Sequence, residues 1–255
     1  MSDVHLIYHG ALAELRLDNP AKLNAFTPDM LARLEQHCMA LDQDPGIRAV
    51  VLTAAPAKAF CAGADIAAWS GLPPATFARA WVRDGHRIFD RFARLSKPTV
   101  AAITANAFGG GLELVACCDL RVIAPDATLA LPETSIGVVP GWSGTQRLTR
   151  LMGEAPVKEM ALFGRRLSAE RSLSLGFVAE IAEDAHAAAF AIADRLTANG
   201  PIATEVGKYM IHAAVGEDSA ALIEALGGGM IAATADLAEG VAAFKDKRKP
   251  TFLGT

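Results

Sequence analysis

Cysteine is scarce and unpatterned in this chain. Four are present, Cys38, Cys61, Cys117 and Cys118, with no CxxC spacing and no histidine-rich neighbourhood, so no metal site is expected and a reducing cytosol is the implied environment. The six histidines show no catalytic or metal spacing either. A basic excess is also missing. A net charge of −4 gives no general attraction to nucleic acid or to an anionic membrane, so neither is an expected partner, and a phosphate-bearing ligand must be met by local groups such as Lys22 or Lys58. The N-terminus, Met1-Ser2-Asp3-Val4-His5, lacks a basic stretch followed by an apolar run. No leader is expected, and a complete, cytoplasmic chain is the reading. An unbroken apolar run of membrane length is lacking too: the nearest, Thr99 to Cys118, is interrupted by Asn106, three glycines and Glu113, and reads as a strand, a loop and a buried helix. What is there, 255 residues with 52% hydrophobic and 20% charged content, excludes disorder and suffices for one large domain or a core with an appendage.

Alternation at Val4, Leu6 and Tyr8, then after His9-Gly10 at Ala11, Ala13, Leu15 and Leu17, predicts an antiparallel hairpin that Asn19-Pro20 ends. Thr27-Pro28 reads as an N-cap and first helical residue, and Met30, Leu31, Leu34, Cys38 and Leu41 recur at helical spacing until Asp44-Pro45-Gly46. A buried strand over 49–53 then feeds a loop over 54–64. Pro73-Pro74 opens one long helix with Phe77, Trp81, Ile88, Phe89, Phe92 and Leu95 on one face, ended by Lys97-Pro98. Strand 99–103, the glycine loop, a helix over 112–118 and strands 120–123 and 128–131 follow. Such alternation predicts an α/β fold. From Gly144 onward strands become scarce, and helices are predicted over 145–151, 155–163, 169–175 behind the cap Ser168, and 185–197. Asn199-Gly200-Pro201 is the clearest boundary. It divides an expected core, 1–199, from an alanine-rich helical tail, 200–255, whose apolar stripes suit packing on a neighbouring subunit.

Three segments carry the chemistry: Phe60-Cys61-Ala62-Gly63-Ala64-Asp65-Ile66, Phe108-Gly109-Gly110-Gly111-Leu112-Glu113, and the stretch from Leu131-Pro132-Glu133 to Pro140-Gly141. Ligand sites in α/β proteins collect behind strands, where these segments are predicted to lie. The first two are small-residue loops leading into helices, so each can present a backbone N–H without a Cβ in the way. Two convergent N–H donors suit an acyl carbonyl that becomes an enolate. Glu113 and Glu133 add two carboxyl groups, which burial and like charge can hold in different ionisation states. Asp65 reads equally as a helix cap, Lys22 equally as a solvated loop charge, and Cys61 has no nearby histidine to make it a nucleophile. Trp69 and Trp142 flank the pocket loops, where packing is the commoner role for tryptophan and acyl-chain lining the other.

These segments, in this order and spacing across essentially the whole chain, together with Gly144-Thr145-Gln146-Arg147-Leu148 and the basic end Lys245 to Pro250, resemble the enoyl-CoA hydratase/isomerase family, the crotonases. The resemblance implies a spiral of ββα turns with a C-terminal helical oligomerisation region, assembled as trimers or as hexamers of two trimers. It implies an acyl-CoA thioester substrate and no cofactor beyond the coenzyme A of that substrate. It assigns the oxyanion hole to the N–H groups of Ala64 and Gly110, water activation at C3 to Glu113, and proton exchange at C2 to Glu133. Ala62, Asp65, Ile66 and Gly109 fall in segments that line the coenzyme A and thioester pocket, Lys22 approaches the phosphates, and Pro140 and Gly141 border the acyl chain. Both glutamates are kept, which within the family marks hydratases; a 3,2-enoyl-CoA isomerase or a specialised hydroxyacyl-CoA dehydratase is the alternative, and a non-catalytic acyl-CoA binder a third. Where Ser143 stands the family commonly has glycine, and near Ala67 a polar or basic residue.

Overall fold

The chain builds two sheets by visiting them in turn. In the computed structural model, which describes residues 2–217 and 219–255, β1 (Asp3–His9) and β2 (Leu12–Asp18) form the predicted antiparallel hairpin, with Val4 opposite Leu17 and Leu6 opposite Leu15. Helix α1 (Pro28–Gln43) follows, with Thr27 Oγ1 accepting from the Met30 N–H at 3.2 Å as its cap. One unit then repeats: a strand of the first sheet, a strand of the second, a helical segment. The first turn is β3 (Ala49–Ala54), β4 (Ala59–Cys61), α2 (Ile66–Trp69), α3 (Pro74–Thr76), a π-helical stretch Phe77–Arg83 and α4 (Asp84–Ala93). The second is β5 (Thr99–Ile103), β6 (Asn106–Phe108) and α5 (Gly110–Val115). The third is β7 (Leu120–Ile123), β8 (Thr128–Ala130), a 3-10 turn Glu133–Ile136, α6 (Gly144–Met152) and α7 (Glu154–Ala161). The pairs β9 (Leu167–Ser168) with α8 (Ala169–Ser174) and β10 (Glu180–Ile181) with α9 (Ala185–Asp194) complete it. The resulting orders are β1-β2-β3-β5-β7-β10 and β4-β6-β8-β9.

Burial on both faces explains why the central strands read as continuous apolar runs rather than alternating ones. Side chains still point to opposite faces in turn. Val50 and Leu52 of β3 and Ala101 and Ile103 of β5 enter the large core with α1 and α4, whereas Ala49, Val51, Val100 and Ala102 enter a smaller core under α9. That helix presents Ala185, Ala189 and Ala193 to the sheet, one face at four-residue spacing whose small side chains admit a close approach. Each fully buried Leu or Val contributes roughly 1.5–3 kcal/mol.

Several boundaries differ from the sequence reading. β4 lies inside the segment read as a loop over 54–64, and β6 inside the glycine segment; three-residue strands carry too little alternation to be seen. The helix expected over 112–118 runs Gly110–Val115, so two of the glycines belong to its first turn. The long helix after Pro73 is interrupted by the π-helical stretch, three residues of which, Phe77, Trp81 and Val82, line one cavity; such bulges recur at functional sites. The helix expected over 185–197 ends at Asp194 and continues as a 3-10 turn, Arg195–Ala198.

Two compact units are present, Met1–Gly200 and Pro201–Thr255. The second consists of α10 (Pro201–Ala214), α11 (Ser219–Ala232) and α12 (Ala235–Lys245), the last capped by Thr234. Ile202, Met210, Met230 and Phe244 are among its exposed apolar side chains. Among the described residues no helix is long and apolar enough to cross a membrane.

Candidate active site

The segment that ends in Ala64 is set by a loop that reaches it from the other side. Asn24, in left-handed conformation at φ 56°, accepts from the Asn19 N–H at 2.9 Å and donates to the Ala55 carbonyl at 2.9 Å. The chain then leaves Asn24 in position for Phe26 to bridge the segment: its N–H donates to Gly63 O at 2.8 Å, and its carbonyl accepts from the Asp65 N–H at 2.9 Å. In a parallel bridge of this kind the enclosed residue, Ala64, turns its own N–H to the opposite side. There Ala62, Gly63 and Ala64 line a cavity of about 240 Å³.

The second donor comes from the start of α5. Gly109 caps that helix at φ 52°, ψ −127°, a conformation open to glycine and disfavoured for a residue with a Cβ. It donates to Ala130 O at 3.0 Å and accepts from the Glu113 N–H at 2.9 Å. The Gly110 N–H is then the first of the helix and has no acceptor within it. A Cβ at Gly63 would stand 3.3 Å from Gly110 N, so only small residues let the two donor segments lie this close.

Glu113 projects from the first turn of α5 and is 3% exposed. Its Oε1 accepts from the Trp142 N–H at 2.8 Å and the Gly144 N–H at 2.9 Å. Burial pushes its carboxyl up to about 7, against the pull of those two donors. Glu133 opens the 3-10 turn. It too is raised to about 7, first by burial, with a further upward contribution from the Glu113 charge and an opposing one from its own N–H. Its Oε1 lies close against Gly109, where a Cβ would stand 2.8 Å away, and its Oε2 is buried with no hydrogen-bond partner among the described residues. Two carboxyl groups that titrate near neutrality thus face one cavity with two backbone donors.

Of the residues singled out in the sequence, Ala62, Ala64, Ile66, Gly109, Gly110, Glu113, Glu133 and Gly141 line this cavity. Lys22, Asp65 and Pro140 are not in its lining. Lys22 Nζ donates to Asp65 Oδ2 at 2.6 Å in an exposed pair, and Asp65 Oδ1 caps α2 by accepting from the Ala67 N–H at 3.2 Å. Cys61 is buried, its Sγ donates to Asn24 O at 3.0 Å, and its thiol is pushed up to about 12; it is a packing residue. Trp142 packs against Phe26, Trp81 and Phe89, the packing role weighed for it, and its ring also borders the cavity. Sequence reasoning missed the donors on Glu113, because a backbone N–H leaves no residue-type signal. Gly144 was the available clue, since a Cβ there would stand 2.5 Å from Glu113 Cγ.

The enoyl-CoA hydratase/isomerase family model matches residues 8–255. The chain belongs to that family. It is 34% identical to the crotonyl-CoA hydratase of Syntrophomonas wolfei over 246 residues, 95% of this chain and 94% of that one. It is 31% identical to the short-chain-enoyl-CoA hydratase of Clostridium acetobutylicum over 253 residues, covering 98% and 97%. Among solved structures, the enoyl-CoA hydratase from Bacillus anthracis superposes with a TM-score of 0.81 at 32% identity, covering 99% of each chain. Crotonases act on acyl-CoA thioesters, and the mixed α/β architecture with C-terminal helices is theirs. Ser143, where the resemblance led glycine to be expected, sits at φ 73°, in the left-handed region that favours glycine.

Proposed function

We propose that this crotonase is an enoyl-CoA hydratase, which adds water reversibly to a trans-2-enoyl-CoA to give the 3-hydroxyacyl-CoA. The observation that carries the reading is the pair Glu113 and Glu133, both raised to about 7 and both on the cavity that Ala64 and Gly110 border. Hydration delivers a hydroxyl to C3 and a proton to C2, so it needs a base and an acid at once, whereas moving a double bond needs one group to carry one proton. Glu113, ionised, takes a proton from water as its oxygen bonds to C3. The C2–C3 π electrons move toward the thioester carbonyl, whose growing negative charge is met by the N–H groups of Ala64 and Gly110. Glu133, protonated, then delivers its proton to C2. The reverse direction interchanges the two roles.

Ile66, Phe77, Val82, Ile136 and Val139 line the same cavity and suit the apolar part of the acyl group. No cofactor enters the reaction, coenzyme A being part of the substrate. The exposed apolar side chains of the C-terminal unit are the proposed contacts of a trimer or of two stacked trimers, in the cytoplasm. The names of the relatives support hydration, and loss of the conjugated enoyl-thioester absorbance of crotonyl-CoA tests it directly. A protein that leaves this absorbance unchanged, with crotonyl-CoA and longer homologues alike, is not a hydratase. A 3-enoyl-CoA that gains solvent deuterium on shifting its double bond would point to the isomerase.

A further inference from the structure

Next to the turn that holds Glu113 stands a half-buried polar cluster, outside the cavity lining, that the reaction as written does not use. Ser143 Oγ donates to Asp90 Oδ1 at 3.3 Å and lies 3.1 Å from the ring nitrogens of His86. Asp90 Oδ1 also accepts from Arg147 Nη2 at 2.7 Å, and His86 Nε2 is 3.3 Å from Asp90 Oδ2. A serine, a histidine and an aspartate invite a nucleophile reading, yet neither Ser143 nor His86 lines the cavity. The serine's place in the chain is the informative fact. It is the residue between Trp142 and Gly144, whose N–H groups hold Glu113 Oε1.

We propose that Ser143, tied through its hydroxyl to Asp90 and His86, is a positioning residue that fixes the two backbone donors on Glu113. Its backbone conformation, φ 73°, suits glycine better than serine, so the hydroxyl contacts offset a local strain. Those contacts join the donor turn to α4, which carries His86 and Asp90, and to the first turn of α6, which carries Arg147. Among the described residues, the other charged or titratable groups placed against the cluster include Arg94, the residue that ends α4, with Nη2 3.9 Å from Asp90 Oδ2, Cys117, which Arg147 Nη1 approaches at 3.4 Å, and Glu113 across the donor turn. Removing the hydroxyl frees the turn, weakens the N–H donors, and leaves the ionised form of Glu113 less well held.

The test uses the whole chain with its glutamate carboxyl carbons labelled with ¹³C, the Glu113 resonance being assigned by its loss in Glu113→Gln. Titration of Ser143→Gly is expected to place Glu113 about 0.5–1 pH unit above its wild-type value, the effect of weakening one hydrogen bond to a charged group. Thermal stability is expected to be equal or higher, because glycine relieves the positive φ. A merely structural serine would lower stability and leave the titration in place. Ser143→Ala repeats the measurement with the strain kept. An unmoved Glu113 in Ser143→Gly overturns the proposal. Only the kinetic counterpart rests on the hydratase reading: the acidic limb of kcat/KM should move up by the same amount, a ~3–10-fold loss below it. The NMR titration needs no substrate, so a wild-type protein inert toward crotonyl-CoA would remove the hydratase reading and leave this test intact.

Discussion

Replacing Glu113 by glutamine separates the destabilisation caused by a buried carboxylate from the chemistry the carboxylate performs. Burial raises this group from 4.5 to about 7, a shift worth roughly 3 kcal/mol. The folded state holds the proton more tightly than the unfolded chain does. The destabilisation is therefore absent below about pH 4.5, grows as the pH rises through the interval to about 7, and is fully present above it. Glutamine keeps an oxygen for the Trp142 and Gly144 N–H groups, which stand 2.8 and 2.9 Å from Oε1, and it never ionises. Glu113→Gln should be the more stable by less than ~1 kcal/mol at pH 5 and by up to ~3 kcal/mol at pH 8, the latter on the order of 5–10 °C in Tm. Circular dichroism melts across pH 5–8 read this directly. Tm curves that stay parallel over the whole range would refute the assignment of a raised value to Glu113. With crotonyl-CoA, the same variant should lose at least the ~100-fold in kcat typical of a missing acid or base, so stability and activity should move in opposite directions.

Gly144→Ala places a Cβ 2.5 Å from Glu113 Cγ; urea unfolding should show a loss of about 1–3 kcal/mol from overpacking, and kcat should fall as the carboxylate is displaced. Cys61, buried with its thiol pushed up to about 12, should resist iodoacetamide at pH 8 in the folded protein and react only on unfolding; rapid labelling under native conditions would count against its packing role. Lys22→Ala breaks an exposed pair with Asp65, worth less than ~1 kcal/mol of stability. If Lys22 meets the coenzyme A phosphates, KM should rise with kcat unchanged, and an unaltered KM would leave it a solvated partner of Asp65.

The parts of the fold legible in the sequence are those in which one residue type does one job over several positions. The hairpin with Val4, Leu6, Leu15 and Leu17, and α1 with its Thr27 cap and Pro28, follow from period and capping chemistry alone. β4 and β6 did not, because three residues fix no period and their pairing partners are distant in sequence. The π-helical stretch was hidden for a related reason: Phe77 and Trp81 fit an α-helical face as well, so the spacing of apolar residues does not reveal the wider turn. In the site, the glycines and glutamates announced themselves by type. The turn of Trp142, Ser143 and Gly144 did not, since it acts through backbone N–H groups and through a serine whose partners lie more than fifty residues away.

Equal titration ranges do not make the two glutamates equivalent. Because the Glu113 charge raises Glu133, loss of a proton from one makes loss from the other harder, and the pair near neutrality holds about one proton between them. Local donors decide which member carries it. Glu113 Oε1 accepts two backbone N–H groups at 2.8 and 2.9 Å, an arrangement that favours the ionised form. Glu133 has its own N–H and a buried Oε2 with no partner among the described residues, an arrangement that favours the neutral form. The charge settles on Glu113 and the proton on Glu133. That is the state the proposed addition of water would use, with Glu113 as its base and Glu133 as its acid. The like charge that would defeat two ionised carboxylates in one apolar cavity is therefore what favours a protonated Glu133 at the pH where Glu113 is ionised.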